Sequence, residues 1–285
     1  MAENAELPKG RAGNGVAVVV VNFRTKELTV DAVESVLGDP LLEEVVVVDN
    51  GSGDESASFL RSVLRDPQVR IVESPENLGF GQGVNLGVAA SHSPLLFLLN
   101  SDAVARTGTL DRLGRVLAGD VGVGVVAPAV YLADGRTLQA DAYGPLPAPR
   151  ALMRTNHRRR RRRSDRSDGA PGWVSGVAMM FRRDDFLAIG GFDPDFVMYL
   201  EDVDLCRRMQ AAGKRIAREP SASVVHLGGR SGKARADRID QLHRSKLVYL
   251  RKAGAGPLQL RCARVLRVVR LAVEALRAQL AGRRA

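Results

Sequence analysis

The sequence predicts an α/β protein with a doubly wound, mainly parallel sheet that carries helices on both faces. Two observations predict this class. The first half of the chain contains predominantly apolar, β-branched or leucine-rich segments that indicate strands, at residues 16–22, 44–49, 69–72 and 95–99, and the run at 16–22 is continuous enough to predict burial on both faces. Segments with helical character lie between them, at residues 27–37, 54–64 and 81–91. This alternation favours a parallel sheet, in which ligands bind beyond the carboxyl ends of the strands.

The second half of the chain is less regular. We expect one or two strands at residues 121–132, and one each at 173–181 and 215–226. Helices are expected at 183–189, 200–212 and 239–253, and from Pro257 onward. Gly213 follows the second of these helices and suits a C-cap. Residues 140–171 are rich in Pro, Gly, Arg and Ser, a composition typical of a loop.

The positive charge of the chain is unevenly distributed. The formal net charge is +10 over 285 residues. Residues 158–163 are all arginine, and the chain after Leu258 has many arginines against one acid, so the remainder is slightly negative. A nucleic-acid-binding domain usually carries a basic face on its folded body. This distribution therefore argues against a nucleic-acid partner.

The composition also indicates a cellular compartment. The two cysteines cannot form a disulfide framework, which fits a reducing cytoplasm. Residues 1–14 lack the apolar core of a signal peptide and predict a disordered leader. No window has the apolar length of a membrane span.

The last predicted helix is basic and amphipathic. Its apolar stripe, spaced for one helical face, consists of Leu258, Cys262, Val265, Val269, Ala272, Leu276 and Leu280. With arginines around it, this pattern is typical of a helix lying on an anionic membrane, and residues 158–163 could add to that attraction. Alternatively, the stripe packs on the body or on a partner subunit, and the arginine run is simply solvated.

An acidic cluster at residues 193–204 is the most informative feature for chemistry. Acids among apolar residues are costly to bury unless they are paired, bind a metal or handle protons. Glu201 and Asp202 open a predicted helix, where they could act in catalysis or serve only as caps. Asp204 and Arg207 could form only a surface ion pair.

Polar residues also follow the predicted strands. Asp49 precedes an Asn-Gly-Ser turn, and Asp102 follows the fourth strand, where it could bind a divalent ion or be a turn residue. Residues 77–87 form a glycine-rich approach to a helix that could meet a phosphate. In that run, Gly83 and Gly87 could instead serve close helix–sheet packing. His226 ends an apolar strand and is either a ligand or a structural residue.

Together, these segments resemble the inverting nucleotide-sugar glycosyltransferases of family 2, which have the GT-A fold. The resemblance covers about residues 16–249, and the ordered set of motifs is more specific than any one of them. Its carriers are residues 18–22, 49–52, 77–87, 100–102, 190–193 and 201–202. Residues 199–206, the His226 segment and residues 243–249 are most similar to the rhamnosyltransferase-like bacterial branch that assembles cell-surface polysaccharides.

The resemblance implies a role for each position. The donor would contact Asn22, Asp49, Asn50, Asn77, Gly79, Asn100 and Asp102. Asp102 and His226 would hold Mg²⁺ or Mn²⁺, although the family has an acid where this chain has Asn100. Asp202 would be the general base, with Glu201 raising its pKa, and Trp173, Ser175 and Gly176 would face the acceptor.

The same resemblance implies a domain organisation. Residues 15–255 would form the GT-A domain, with a nucleotide-binding half at 15–105 and an acceptor half at 106–255. Residues 1–14 would be the leader, and residues 256–285 the basic amphipathic helix.

The implied function is metal-dependent, inverting sugar transfer. We expect L-rhamnose from dTDP-rhamnose to pass to a lipid-linked or cell-envelope saccharide, such as a polyprenyl-linked one. The alternatives are a UDP-sugar donor on the same fold, or a catalytically silent nucleotide-sugar-binding protein. The expected location is the cytoplasm, with peripheral attachment to the inner face of the cell membrane as an additional option.

Overall fold

A computed structural model describes residues 15–152, 170–228 and 235–282 of the chain. The expected leader at 1–14 and the arginine run at 158–163 lie outside these residues. The strands are β1 (Val16–Asn22), β2 (Leu42–Asn50), β3 (Val69–Ser74), β4 (Leu95–Asn100), β5 (Ala103–Ala105), β6 (Val123–Leu132), β7 (Tyr143–Gly144), β8 (Trp173–Val174), β9 (Ala178–Arg182) and β10 (Arg215–His226). The helices are α1 (Lys26–Glu34), α2 (Ser56–Val63), α3 (Phe80–Ala89), α4 (Thr109–Gly119), α5 (Pro149–Leu152), α6 (Arg183–Ala188), α7 (Glu201–Ala211), α8 (Arg235–Lys252) and α9 (Pro257–Gly282).

Eight of the strands form one mixed sheet in the order β3-β2-β1-β4-β9-β6-β10-β5. The pairs β3-β2, β2-β1, β1-β4 and β6-β10 are parallel. Strand β9 is antiparallel to both β4 and β6, and the edge strand β5 is antiparallel to β10. The predicted α/β class with a mainly parallel sheet is confirmed.

Helices cover both faces of this sheet because its central strands are apolar on both sides. In β1, Val18 and Val20 face a core shared with α1, α2 and α4, whereas Val19 and Val21 face a core shared with α3, α6 and α7. The absence of polar alternation in β1 is therefore explained by burial on two faces.

Two glycines of α3 allow that helix to approach the sheet. A Cβ atom on Gly83 would lie 2.8 Å from Val21 Cγ1, and one on Gly87 would lie 2.5 Å from Val19 Cγ1. Both positions therefore require glycine for packing, which confirms the packing alternative for these two residues.

The structure corrects several predicted element boundaries. Residues 173–181 form two strands rather than one, because a turn at 175–177 separates β8 from β9. Residues 123–132 form a single strand, and β5 was not predicted at all. The predicted loop at 140–171 contains β7 and the one-turn helix α5 in its described part.

The last two helices form a third apolar cluster on the body. Tyr249 and Leu250 of α8 and Ala263 of α9 are buried there with Phe196 and Val203. Within the described ranges, no helix combines the length and the apolar character that a bilayer span requires.

Candidate active site

Three parallel strands end in polar residues at the same edge of the sheet. Asn22 pairs in register with Asp49 of β2, and Val21 pairs with Asn100 of β4. Parallel strands point their carboxyl ends in one direction, so these side chains gather at one edge. The structure thus brings together predicted site residues that are up to 78 positions apart in the sequence.

Asp49 is held by a buried hydrogen-bond network. Asn22 donates to Asp49 Oδ1 from Nδ2 at 2.7 Å, and the Ser52 hydroxyl donates to the same oxygen. Asn22 Oδ1 accepts in turn from the hydroxyl of Thr29 at 3.0 Å. Asn22 is fully buried, whereas no described residue donates to Asp49 Oδ2. Asn22 therefore orients Asp49, whose second oxygen remains available.

Asn50 fixes the loop that precedes α3. Its Nδ2 donates to the Gly79 carbonyl at 3.0 Å, and its Oδ1 accepts from the Leu78 amide at 3.1 Å. Asn77 Oδ1 accepts from the Gly79 amide at 2.9 Å. Gly79 has φ +84°, and a Cβ there would lie 2.3 Å from the Val197 carbonyl oxygen, so only glycine fits.

Asp102 and His226 are brought together by β5. His226 pairs with Ala103, the residue after Asp102, and the Leu227 amide donates to the Asp102 carbonyl at 2.9 Å. This register places His226 Nε2 3.1 Å from Asp102 Oδ1. Gln139 Oε1 lies 2.8 Å from His226 Nδ1 and accepts its hydrogen, and His226 Nε2 faces Asp102.

This pair fits a divalent ion shared with a diphosphate. Two adjacent ligands of an octahedral ion with bonds of about 2.1 Å stand about 3 Å apart, close to the Asp102–His226 separation. Both side chains are partly exposed, which leaves room for phosphate oxygens. Within the described ranges, no cluster of three or more His, Cys, Asp or Glu residues forms a closed metal cage.

The 175–177 turn connects Asn100 to the acidic pair. The Val177 carbonyl accepts from the Asn100 amide at 2.9 Å, and the Gly176 amide donates to Asp202 Oδ2 at 3.0 Å. Two adjacent residues of one turn thus contact the end of β4 and the start of α7. Ser175 is anchored through its amide to the Ala142 carbonyl at 2.7 Å.

Asp202 and Glu201 have different surroundings although they are adjacent. Asp202 is partly exposed, and its Oδ1 accepts from the Val203 amide at 2.7 Å. Glu201 is buried, and its Oε2 has no hydrogen-bond partner among the described residues. Burial raises the pKa of Glu201 to about 8, and the charge of Asp202 adds to this rise. Burial also raises the pKa of Asp202, although hydrogen bonds from Gly176 and Val203 oppose the increase.

These surroundings distinguish the two acids by how well each supports a negative charge. Glu201 keeps its proton, because its environment offers nothing to a negative charge. Asp202 offers more support to a negative charge, since both of its oxygens accept main-chain hydrogen bonds and the start of α7 favours an anion. Asp202 is therefore the member of the pair that can accept a proton.

The backbone that leads into this pair is strained. Tyr199 and Leu200 have φ of +72° and +66°, although neither is glycine. Each such residue costs about 1–2 kcal/mol and persists only where its surroundings enforce it. The two residues immediately precede α7, whose second residue, Asp202, accepts a hydrogen bond from the Gly176 amide of the 175–177 turn.

Two neighbours of the pair are structural. Asp204 is fully buried and accepts from Arg207 and Arg208, each at 2.7 Å, so the surface ion-pair alternative is wrong. Burial raises the pKa of the Cys206 thiol to about 12, which makes it an inert core group. Trp173 is half-buried in β8 beside the second and third apolar clusters.

Glu201 provides a stability prediction. In the unfolded chain its pKa is ordinary, about 4.5, so below that pH it is protonated in both states and costs nothing. Between about 4.5 and 8 only the unfolded chain loses the proton, and the native protein becomes less stable as pH rises. Glu201→Gln should raise the melting temperature by on the order of 5 °C at pH 8.5 and by much less at pH 4.5.

Thermal unfolding at the two pH values measures this difference. Glu27→Gln is the matched control, because Glu27 is exposed on α1. An equal shift at both pH values for Glu201→Gln would contradict the burial of an unpaired carboxyl.

The structure also reveals residues that the sequence analysis missed. Gln139 carries no signal in its local sequence, because only the folding of residues 133–139 back onto β6, which pairs with β10, brings it to His226. Thr29 and Ser52 complete the Asp49 network, and Ser52 lies within the quoted Asp-Asn-Gly-Ser motif.

Solved structures with the same fold define the class of protein. GalNAc-T7 with UDP, GalNAc and Mn²⁺ matches with a TM-score of 0.64 and 14% identity, over 84% of this chain and 48% of that one. A mannosyltransferase from Pyrobaculum calidifontis with GDP-Man and Mn²⁺ matches with a TM-score of 0.60 and 20% identity, over 94% and 79%. The chain has the GT-A fold of these sugar-transferring enzymes.

The sequence comparisons identify the family. The model described as "Glycosyl transferase family 2" matches residues 17–190, and that described as "N-terminal domain of galactosyltransferase" matches residues 160–228. The chain belongs to glycosyltransferase family 2 and is a glycosyltransferase.

Two curated relatives indicate the branch. An N-acetylglucosaminyl-diphospho-decaprenol L-rhamnosyltransferase of Mycobacterium tuberculosis is 30% identical over 236 residues, covering 74% of this chain and 76% of that protein. Rhamnosyltransferase WbbL of Escherichia coli is 40% identical over 60 residues, covering 21% and 23%. The predicted resemblance to rhamnosyltransferases of this family is confirmed.

Proposed function

We propose that this protein is an inverting, metal-dependent glycosyltransferase that moves L-rhamnose from dTDP-rhamnose to a lipid-linked saccharide of the cell envelope. One observation carries the proposal. The 175–177 turn is bonded on one side to Asn100, two residues before Asp102, and on the other side to the carboxyl group of Asp202. The proposed metal pair, Asp102 and His226, and the proposed proton acceptor, Asp202, are therefore linked through the 175–177 turn.

The donor would occupy the edge where β1, β2 and β4 end. Asp49 Oδ2 can accept a hydrogen bond from the base or ribose, while Asn22 holds the carboxylate in place. The loop fixed by Asn50 and Asn77 leads to the amino end of α3, where main-chain amides favour an anionic group.

Asp102 and His226 would hold a divalent cation at the diphosphate. When bound, the ion supplies positive charge that stabilises the departing nucleotide diphosphate. Gln139 keeps the ring of His226 in the required tautomer and orientation.

Asp202 would accept the proton of the acceptor hydroxyl. The acceptor oxygen then forms its bond to the anomeric carbon on the face opposite the breaking bond to the diphosphate, which inverts the configuration. A positioned base typically contributes about 10²–10⁴-fold to the rate. Trp173, Ser175 and Gly176 would line the acceptor side, since Gly176 directly contacts Asp202.

The choice of sugar and acceptor is supported by the relatives. The Mycobacterium tuberculosis protein is named for rhamnose transfer to N-acetylglucosaminyl-diphospho-decaprenol. We extend the class of this acceptor, a sugar on a polyprenyl diphosphate, to the present chain. The proposed location follows from this substrate: the cytoplasm, at the inner face of the cell membrane.

A donor panel tests the proposal. Purified protein would be incubated with dTDP-rhamnose, UDP-glucose, UDP-N-acetylglucosamine and GDP-mannose, a polyprenyl-diphosphate-linked N-acetylglucosamine acceptor and Mn²⁺. We expect release of dTDP, at a rate that depends on the acceptor. Selective turnover of a UDP-sugar would favour the alternative donor, and nucleotide binding without any turnover would favour a silent binding protein.

The exposed face of α9 supports attachment to an anionic membrane. Leu258, Val265 and Val269 of the apolar stripe are 73%, 61% and 51% exposed, so these three side chains do not pack on the described part of the body. The opposite face does, through Ala263 and an Arg267–Asp240 ion pair of 2.7 Å. Exposed arginines flank the apolar face, as expected for contact with acidic headgroups.

Charge placed in this face should weaken membrane binding. Val265→Asp combined with Val269→Asp should reduce co-sedimentation with phosphatidylglycerol vesicles at least about tenfold, because both apolar burial and attraction to the headgroups are lost. Transfer to a soluble acceptor analogue should persist. Val121→Asp is the control, since Val121 is 78% exposed at the start of the turn before β6. Undiminished sedimentation of the double variant would refute this attachment.

A further inference from the structure

The segment at residues 192–200, which we call the approach loop, leads directly into the acidic pair. It ends in the two residues with left-handed backbone, Tyr199 and Leu200. Such a conformation is kept only where neighbouring contacts enforce it. Contacts to the approach loop, at Met198 and Asp193, come from α8, an element outside the family match at residues 17–190.

We propose that Ser245 and Lys252 of α8 are positioning residues that hold the approach loop and thereby place Asp202 for proton transfer. The proposal rests on the proposed function in assigning the proton transfer to Asp202. It adds a role for the C-terminal helices beyond membrane contact.

Ser245 holds the end of the approach loop. Its hydroxyl donates to the Met198 carbonyl at 2.6 Å, and the side chain is 2% exposed. After the two strained residues, the Leu200 carbonyl accepts a hydrogen bond from the Asp204 amide of α7 at 2.9 Å. The left-handed pair is thus bracketed by one bond from α8 and one from α7.

Lys252 holds the beginning of the same loop. Its Nζ lies 2.6 Å from Asp193 Oδ2 and 2.8 Å from Asp195 Oδ2. The lysine is 28% exposed and Asp193 is 18% exposed, so this pair is less screened by solvent than a surface ion pair. Between the two anchors, Phe196 is fully buried against Tyr249 and Leu250 of α8.

The approach loop also contacts the donor side. The Val197 carbonyl accepts from the Phe80 amide at 3.1 Å, at the first residue of α3. The approach loop therefore contacts the loop at residues 77–79, which we call the donor loop, and leads directly into Asp202. Helix α8 restrains the approach loop near both of its ends. The donor loop has independent support from Asn50 and Asn77, whereas the direction of the chain into Asp202 depends on the approach loop.

Two variants of the full-length protein each remove one contact between α8 and the approach loop. We expect Ser245→Ala and Lys252→Met each to lower kcat about tenfold, because small misplacements of a catalytic group are costly. The donor KM should rise less than about threefold, since Asn50 and Asn77 still hold the donor loop. Lys252→Arg keeps the cation and should recover most of the activity.

Matched controls separate positioning from general destabilisation. Ser62→Ala removes a hydroxyl that donates to the Phe59 carbonyl at 2.7 Å on the exposed side of α2. Lys214→Met removes a comparable ion pair to Asp185 of 2.8 Å. Neither control should change kcat by more than about twofold, because neither residue contacts the approach loop.

Hydrogen–deuterium exchange gives a readout that does not need activity. In Ser245→Ala, amides at 197–202 should exchange faster, while those of β1, β2 and β4 should remain as in the wild-type protein. Unchanged exchange at 197–202 together with wild-type kcat would overturn the proposal, as would equal activity of Lys252→Met and Lys252→Arg. If the wild-type protein transferred no sugar, the proposed function would fail, and the exchange result alone would decide whether α8 restrains the loop.

Discussion

Asp202→Asn is expected to abolish sugar transfer, with kcat reduced at least about 10³-fold. The amide has nearly the same shape as the carboxylate but cannot accept the proton of the acceptor hydroxyl. The fold should survive, because the amide oxygen can still accept one of the two main-chain hydrogen bonds that Gly176 and Val203 donate to Asp202, and only one is lost. Binding of dTDP, measured by calorimetry, should remain within about threefold, since Asp202 does not line the proposed nucleotide edge.

The wild-type protein should show a matching pH dependence. The base must be ionised, so kcat/KM falls as the pH is lowered through the pKa of Asp202. Burial has raised that pKa, and the loss therefore occurs at a less acidic pH than an exposed aspartate would give. Asp111→Asn, which breaks only an exposed ion pair on α4, is the control and should leave the profile unchanged. Turnover of Asp202→Asn near the wild-type rate would eliminate Asp202 as the base.

Loss of the metal pair is expected to have an effect of similar size. Chelation by EDTA should stop transfer, and Mn²⁺ or Mg²⁺ should restore it. Asp102→Ala should lower kcat/KM at least about 100-fold, because the carboxylate is the only negatively charged ligand that the pair offers. His226→Ala should weaken Mn²⁺ binding, measured by calorimetry in the presence of dTDP.

Gln139 offers a more selective test of the same site. Gln139→Leu leaves both proposed ligands in place and removes only the acceptor at His226 Nδ1. A loss of about 10–100-fold in Mn²⁺ affinity is typical when such an outer partner of a metal-bound histidine is removed. His92→Ala is the control, since His92 is 78% exposed. Full activity after chelation would show that Asp102 and His226 serve another role.

The sequence by itself was sufficient for the class of fold. Strands buried on both faces of a parallel sheet need apolar side chains on both sides. The sequence therefore shows apolar runs without polar alternation, as within residues 16–22 and 44–49, and these runs predict such strands. The ordered motifs around Asp49, Asn100 and Glu201 were likewise sufficient for the family, which the family match and the curated relatives confirm.

Local patterns also failed in identifiable places. The strand β5 has three residues and lies at a sheet edge, so it has too little periodicity to be detected. The break at 175–177 interrupts an apolar stretch without a proline, and its purpose appears only from the bonds to Asn100 and Asp202. The buried state of Asp204 depends on two arginines of its own helix folding back beneath it.

The contacts that define the site were decided by tertiary structure alone. The sequence named Asp102 and His226, but only the antiparallel register of β5 with β10 brings them within 3.1 Å. Gln139 reaches His226 only because residues 133–139 fold back onto β6. The sequence named Glu201 and Asp202 together, but only the folded chain buries Glu201 with Oε2 unpartnered among the described residues and gives Asp202 two main-chain hydrogen bonds. Ser245 and Lys252 reach the approach loop because the chain returns across it in α8. Sequence patterns report the period and burial of a single element, whereas these contacts depend on how distant elements meet, which no local pattern encodes.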